Sequence, residues 1–266
     1  MSFILAPNPQ IPSRLYHYTK ASNAMSILTG GIGIDKEICF WLKNCKEKND
    51  DKETVLGQKL VESVRSFLIK EGMMSMLEQI CIDEKSVFTN SFSEGEVNQY
   101  MLNEYGNIRL EFDFRSYKHN GKIEKCQYLT DEDVAELAQL YISDFKSVKG
   151  NRSENALLLR IEREYDIVSK IATLKSEKQW EGEEEWRHIF HKQQQDSRIF
   201  TTVDGKERMK VYYPQSTLTG ITIFYHKEKT DEQIEWYNKF KKLVKTNHWD
   251  KKSVQLRHFK PRTNQK

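Results

Sequence analysis

The chain has only four cysteines, Cys39, Cys45, Cys81 and Cys126, and no Cys-x-x-Cys pair. That excludes a disulfide framework and a paired-thiol zinc site, and it leads us to expect reduced thiols in a cytoplasmic protein. No apolar run approaches the length needed to cross a membrane. The opening Met-Ser-Phe-Ile-Leu-Ala-Pro has no basic start and no long apolar centre, so a signal peptide is not expected. Charge is nearly balanced, with 42 Lys and Arg against 39 Asp and Glu, which by itself implies no nucleic-acid partner. A Walker loop, Gly-x-Gly-x-x-Gly, His-Glu-x-x-His and Gly-x-Ser-x-Gly are all missing. Their absence argues against a P-loop nucleotide, a Rossmann cofactor, a zinc protease and an elbow-type hydrolase.

What is present is a foldable but polar chain. At 266 residues, 38% hydrophobic and 30% charged, it can bury a core and lies outside the disordered regime. One uneven stretch is basic: residues 248–266 carry many Lys, Arg and His and a single acid, Asp250. Such a tail can touch phosphate, although frayed ends are commonly basic.

Strand signals fall on 14–19, 38–42, 87–93, 108–114, 123–129, 183–190, 210–213, 218–224 and 254–259. The 123–129 segment reads as the hairpin partner of 108–114 across Asn120-Gly121. Helical spacing covers 20–28, capped by Thr19 or Ser22, then 53–82 with a break at Gly72, and 96–105. Further helices are expected over 131–174, opened by Thr130-Asp-Glu-Asp, and over 231–244. Strands in both halves around a central helical insert give an α+β fold, read as a single domain over 1–266 with a mixed sheet.

Four constellations carry polar chemistry. Tyr16-His17-Tyr18-Thr19 places His17 and Thr19 on one face of a strand. Asn49, Asp50 and Glu53 lie in a polar loop whose spacing does not match a calcium loop. Ser91-Phe92-Ser93-Glu94 puts two hydroxyls on one strand face, followed by Asn98, Tyr100 and Tyr105. The sharpest is Trp180-Glu-Gly-Glu183-Glu184-Glu185-Trp186-Arg187. If 183–190 is a strand, Glu183, Glu185 and Arg187 share a face, with Glu184, Trp186 and His188 opposite. Taken alone, that segment reads as a charged edge strand with local ion pairing.

In order, these pieces resemble the bacterial family called domain of unknown function 2971. The resemblance rests on Leu-Tyr-His-Tyr-Thr (15–19), Ala-x-x-Ile-Leu-x-x-Gly (24–31), Asn-Asp-x-x-Glu (49–53) and Ser-Phe-Ser-Glu (91–94). It ends on Lys-x-Trp-x-x-Glu-x-Glu-Trp-Arg (178–187), where either Lys175 or Lys178 is the matching lysine. The layout in turn resembles the ADP-ribosyltransferase fold, with a mainly antiparallel split sheet and a helical insert. That resemblance implies NAD as a substrate, no metal, and a protein or nucleic acid as acceptor, as in a toxin or anti-phage defence effector. It implies Glu185 and Glu183 as catalytic residues, and His17, Thr19, Ser91, Ser93, Tyr100, Tyr105 and Arg187 as NAD-binding residues. Glu185 would stabilise an oxocarbenium-like state, and Glu183 would orient or deprotonate the acceptor. A one-residue slip in register would bring Glu184 in instead. Two further readings stand beside this one. The first is a non-catalytic nucleotide- or nucleic-acid-binding protein of the same fold. The second is a magnesium-dependent nuclease using Asp50, Glu53, Glu183 and Glu185.

Overall fold

A computed structural model of the chain describes residues 9–31, 37–47, 54–73, 87–95, 99–115, 117, 121–151, 153–176, 182–192, 196–225, 230–247, 249 and 254–259. The fold is α+β, with a mixed, mostly antiparallel ten-stranded sheet and six α-helices among these residues. Asn49, Asp50, Glu53, Asn98, Lys178, Trp180 and the tail beyond residue 259 lie outside the described residues.

The strands of the main sheet are β1 (Leu15–Thr19), β2 (Ile38–Asn44), β3 (Val87–Ser93), β4 (Ile108–Phe112), β5 (Lys122–Lys125), β8 (Glu185–His191), β9 (Ile199–Thr201), β10 (Glu207–Tyr213), β11 (Leu218–Phe224) and β12 (Gln255–Phe259). A small parallel pair, β6 (Gln127–Tyr128) and β7 (Leu174–Lys175), stands apart. The helices are α1 (Ala21–Thr29), α2 (Val55–Lys70), α3 (Gln99–Tyr105), α4 (Asp131–Val148), α5 (Glu154–Thr173) and α6 (Asp231–Thr246).

The sheet is organised around β3. Strand β8 fills one edge of β3 over all seven residues, from Val87↔His191 to Ser93↔Glu185. Strands β1 and β2 therefore share the other edge. β2 pairs there at Thr89 and Phe88, and β1 only at Ser93. The two strands diverge, and the backbone of Ser91 faces the opening between them. His17 Nδ1 lies 3.0 Å from the Ser91 carbonyl oxygen and satisfies an acceptor that the ladder leaves open. On the β1 side the sheet continues through β4 and β11 to the parallel strand β12, which α6 connects to β11.

Alternation sorts side chains onto two faces. One face carries Leu15, Phe40, Phe92, Leu110, Phe112, Trp186, Tyr213 and Ile221, and packs with α1 and α6 into the main core. Its aromatic rings interlock across strands, Phe40 to Phe112 at 5.7 Å and Phe40 to Tyr213 at 5.2 Å between centroids. Under β3 and β8 the other face is covered by α2, α4 and α5, which form a second core with Val87 and Ile189. Gly57 of α2 lets the helices meet closely. A Cβ there would lie 2.3 Å from Ile171 Cα of α5.

Local chemistry explains the ends. Thr130 caps α4 in a reciprocal box with Asp133, Thr230 caps α6 with Gln233, and Ser153 caps α5. For α1 the expected Thr19 or Ser22 cap is corrected. The capping position is Lys20, with no side-chain cap bond, so this end depends on tertiary contacts. Helix α2 stops before Gly72, whose φ of +62° suits a helix exit. The expected 108–114 to 123–129 hairpin is also corrected. β4 pairs with β1 and β11, whereas β5 pairs with β8. All five residues of β4 are buried, so both of its edges and both of its faces are already occupied. Past β4, Phe114 stacks on Phe112 at 5.4 Å and turns the chain back into the core.

Candidate functional site

The expected strand at 183–190 begins two residues later. Glu184 takes a left-handed φ of +46°, so Glu183 sits in a tight turn and β8 starts at Glu185. Three bonds clamp that turn. Ser93 Oγ donates to the Glu183 carbonyl at 2.8 Å, the Glu94 N–H to Glu184 O at 3.0 Å, and the Cys126 N–H to Glu185 O at 2.8 Å. Glu183 thus reaches the same place as Glu185 through the turn, rather than through strand alternation.

The meeting point is Lys175, at the end of β7. Its Nζ lies 3.4 Å from Glu183 Oε2 and in closer contact with Glu185 Oε2. Arg187 grips Glu185 from the other side as a fork, Nε to Oε1 at 2.7 Å and Nη2 to Oε2 at 3.2 Å. Its Nη1 donates to the Ala172 carbonyl at the end of α5. The four charges are all buried, and Arg187 is 1% exposed. Beside them the Lys175 ammonium lies 5.8 Å from the Tyr128 ring centroid.

The two carboxylates differ in their surroundings. Glu185 is ion-paired with two cations, while among the described residues Glu183 pairs only with Lys175 and feels Arg187 at longer range. Burial pushes the Glu183 carboxyl above its usual range, against the pull of Lys175. Burial opposes the charge of Lys175, but Glu185 and lesser neighbours more than offset it and hold the ammonium above its ordinary value. Tyr128 and Tyr100 are both raised, first by burial; nearby Glu183 adds to each. Tyr100, on α3, is partly exposed and marks the outer edge of the cluster.

A second buried ion group adjoins the first. Glu124 of β5 is the register partner of Arg187 and is fully buried. It accepts from Lys170 Nζ of α5 at 3.2 Å and pairs with Lys122, which also holds Asp166. Just past β3, Glu94 accepts from Lys125 Nζ at 2.8 Å and from Trp186 Nε1 at 3.1 Å.

The structure brings together Glu183, Glu185, Arg187, Ser91 and Ser93, since Ser93 pairs with Glu185 and Ser91 with Arg187. It does not bring His17 or Thr19 to them. Tyr16 is the register partner of Ser93, so Tyr16 shares the glutamate face. His17 and Thr19 therefore point to the opposite face, among Phe40 and Phe92, with ring centroids 5.1 and 5.9 Å from that of His17. His17 and Thr19 thus lie on the sheet face opposite Ser91, Ser93 and Glu185. Burial takes the His17 imidazole down to about 4, against its bond to Ser91, with Lys43 adding to the shift. Tyr105 ends α3 and is exposed.

Lys175, Tyr128, Glu124 and Lys170 are the residues that sequence reasoning missed or left open. Only Lys175 had a signal, as one of two lysines preceding the Trp-x-x-Glu-x-Glu segment. Among the described residues no group of three or more His, Cys, Asp or Glu side chains is placed to hold a metal ion, and no helix is long and apolar enough to cross a membrane. An open depression of about 410 Å³ lies away from the cluster between α2 and α4, lined by Lys59, Glu62, Ser63, Ser66 and Asp131. A neighbouring one of about 310 Å³ runs from Lys59 and Asp131 to Ser176, the residue after Lys175. Comparison with family models, curated proteins and solved structures returned no match.

Proposed function

We propose that the chain is an NAD-using, ADP-ribosyltransferase-like enzyme of the domain of unknown function 2971 family, and that Glu183 is its substrate-facing carboxylate. The supporting observation is the unequal acid pair. Glu185 is gripped by Arg187 and Lys175, whereas Glu183 has one ion pair among the described residues, a raised proton affinity and a position beside exposed Gly182 and Glu184. Environments that separate two neighbouring carboxylates in this way divide roles between them. Glu183 accepts a hydrogen bond from a ribose hydroxyl, or the proton of an acceptor, while Glu185, Lys175 and Arg187 hold the turn that presents it. Tyr100 offers a ring for nicotinamide.

The test is nicotinamide release from NAD, measured with and without protein and nucleic-acid acceptors. Wild type should consume NAD, and Glu183→Gln should abolish that while keeping its circular dichroism and a melting temperature within about 4 °C of wild type. Failure of wild type to bind or consume NAD under every acceptor condition refutes the proposal. A second reading, a protein that binds a nucleotide without turnover, is favoured by one observation: His17 and Thr19 face the aromatic core, away from the glutamates. NAD binding without nicotinamide release, unchanged in Glu183→Gln, selects it.

A further inference from the structure

The open side of β2, β10 and β9 belongs to neither the glutamate cluster nor the helical insert. On these strands one face enters the main core through Phe40, Leu42, Met209, Val211 and Tyr213. The other presents Trp41, Lys43, Lys210 and Tyr212, joined by Phe200 of β9. Lys210 is the register partner of Trp41, and Arg208 lies between Lys43 and Phe200. Trp41 is 58% exposed, and its ring meets that of Phe200 edge to face at 4.9 Å. Lys210 Nζ lies 4.9 Å from the Phe200 ring centroid.

The charge on this surface is mainly positive, with Glu37 acting at its end near Cys39 and Tyr212. Arg208 is paired with Glu47, and Arg198 with Asp196. Lys43 and Lys210 form no ion pair among the described residues. The result is a half-solvated sheet face that holds an exposed indole, a second ring locked beside it, and two ammonium groups free to meet an anion. A folded protein partner would be expected to bury such an indole in a pocket with a polar rim. A flexible polyanion with flat bases needs only an open ring to stack on and cations for the flanking phosphates.

We propose that this face binds single-stranded nucleic acid, with a base stacked on Trp41 and phosphates met by Lys43 and Lys210. The inference stands on a surface separate from Glu183 and does not depend on the enzymatic reading. Because Trp41 and Lys43 are exposed, their replacement leaves the core untouched.

The experiment is fluorescence anisotropy of a labelled oligouridine titrated with the full chain over a series of salt concentrations, with a duplex of the same length as a competitor. Wild type should bind saturably at low salt and prefer the single strand. Trp41→Ala should weaken binding roughly ten-fold or more, at an unchanged melting temperature. Lys43→Gln and Lys210→Gln should each flatten the dependence of log K on log salt by about 0.7. Glu183→Gln should bind as wild type does, which keeps this test apart from that of NAD turnover. Absence of saturable binding, equal affinity for the duplex, or wild-type affinity in Trp41→Ala each overturns the proposal.

Discussion

Replacing Glu185 with Gln removes one negative charge from a buried group of four and keeps the shape of the side chain. Before the change, both of its oxygens are engaged, by the Arg187 fork at 2.7 and 3.2 Å and by Lys175. After it, two buried cations face each other, with Glu183 the nearer remaining acid. Breaking a buried pair from one side costs about 3–5 kcal/mol, because the orphaned charge stays desolvated. Glu183→Gln is a much smaller perturbation. Among the described residues that side chain has one ion pair, at 3.4 Å, and burial already favours its neutral form, so the expected loss is about 1 kcal/mol. Urea unfolding with linear extrapolation separates the two variants. In thermal melts the Glu185→Gln loss corresponds to a fall of roughly 6–20 °C, at about 2–4 °C per kcal/mol for a chain of this size. Adding Arg187→Met to Glu185→Gln should cost less than the two single changes summed, with a coupling of about 0.5–3 kcal/mol. If Glu185→Gln and Glu183→Gln unfold within about 1 kcal/mol of each other, the division between a gripped and a presented carboxylate is wrong. The same reasoning fixes which variant can test catalysis. Lost activity in Glu185→Gln is confounded by lost structure, whereas in Glu183→Gln it is not.

Two more perturbations follow from the geometry. His17 titrates near 4 in the fold against 6.5 when unfolded, so the unfolded chain binds the proton first. The contribution of His17 to stability should be complete above about pH 6.5 and fall as pH drops toward 4; burial also takes His191 down to about 4, so His17→Gln should remove only part of that slope in urea midpoints taken across pH. Gly57→Ala should destabilise by about 1–3 kcal/mol in the same assay, although alanine ordinarily favours a helix, because the added Cβ meets Ile171 Cα at 2.3 Å and Lys170 O at 2.4 Å; a stabilised Gly57→Ala would mean that α2 and α5 sit farther apart than described.

Much of the element list was legible from local chemistry. The spans at 87–93 and 218–224 were expected where they occur, and the Thr130 cap opens α4 as its acids suggest. Alternation within 15–19 correctly put His17 and Thr19 together, and alternation within 87–93 did the same for Ser91 and Ser93. It carried no information on whether those two pairs share a side, because that depends on the register between strands, here Tyr16↔Ser93. The partner of β5 was hidden for the same reason: a turn signal at Asn120-Gly121 says that the chain reverses, not which strand it joins. The left-handed Glu184 has no mark in a run of three glutamates. Nothing local marks Lys170 or Glu124, because their pairing depends on a helix and a strand 46 residues apart coming together.

The sharing of β3 between two diverging neighbours bears on how the chain is made. A nascent polypeptide completed to residue 112 holds β1, β2, β3 and β4, yet three of these wait for partners far downstream. β3 needs 185–191, β2 needs 207–213 and β4 needs 218–224. Until its own partner has been made, the last of them only at residue 224, each carries an open hydrogen-bonding edge flanked by apolar side chains. Completion of the sheet therefore waits until residue 224 has been made, and a fragment ending at residue 112 would meet other copies of itself before it could meet its own missing strands.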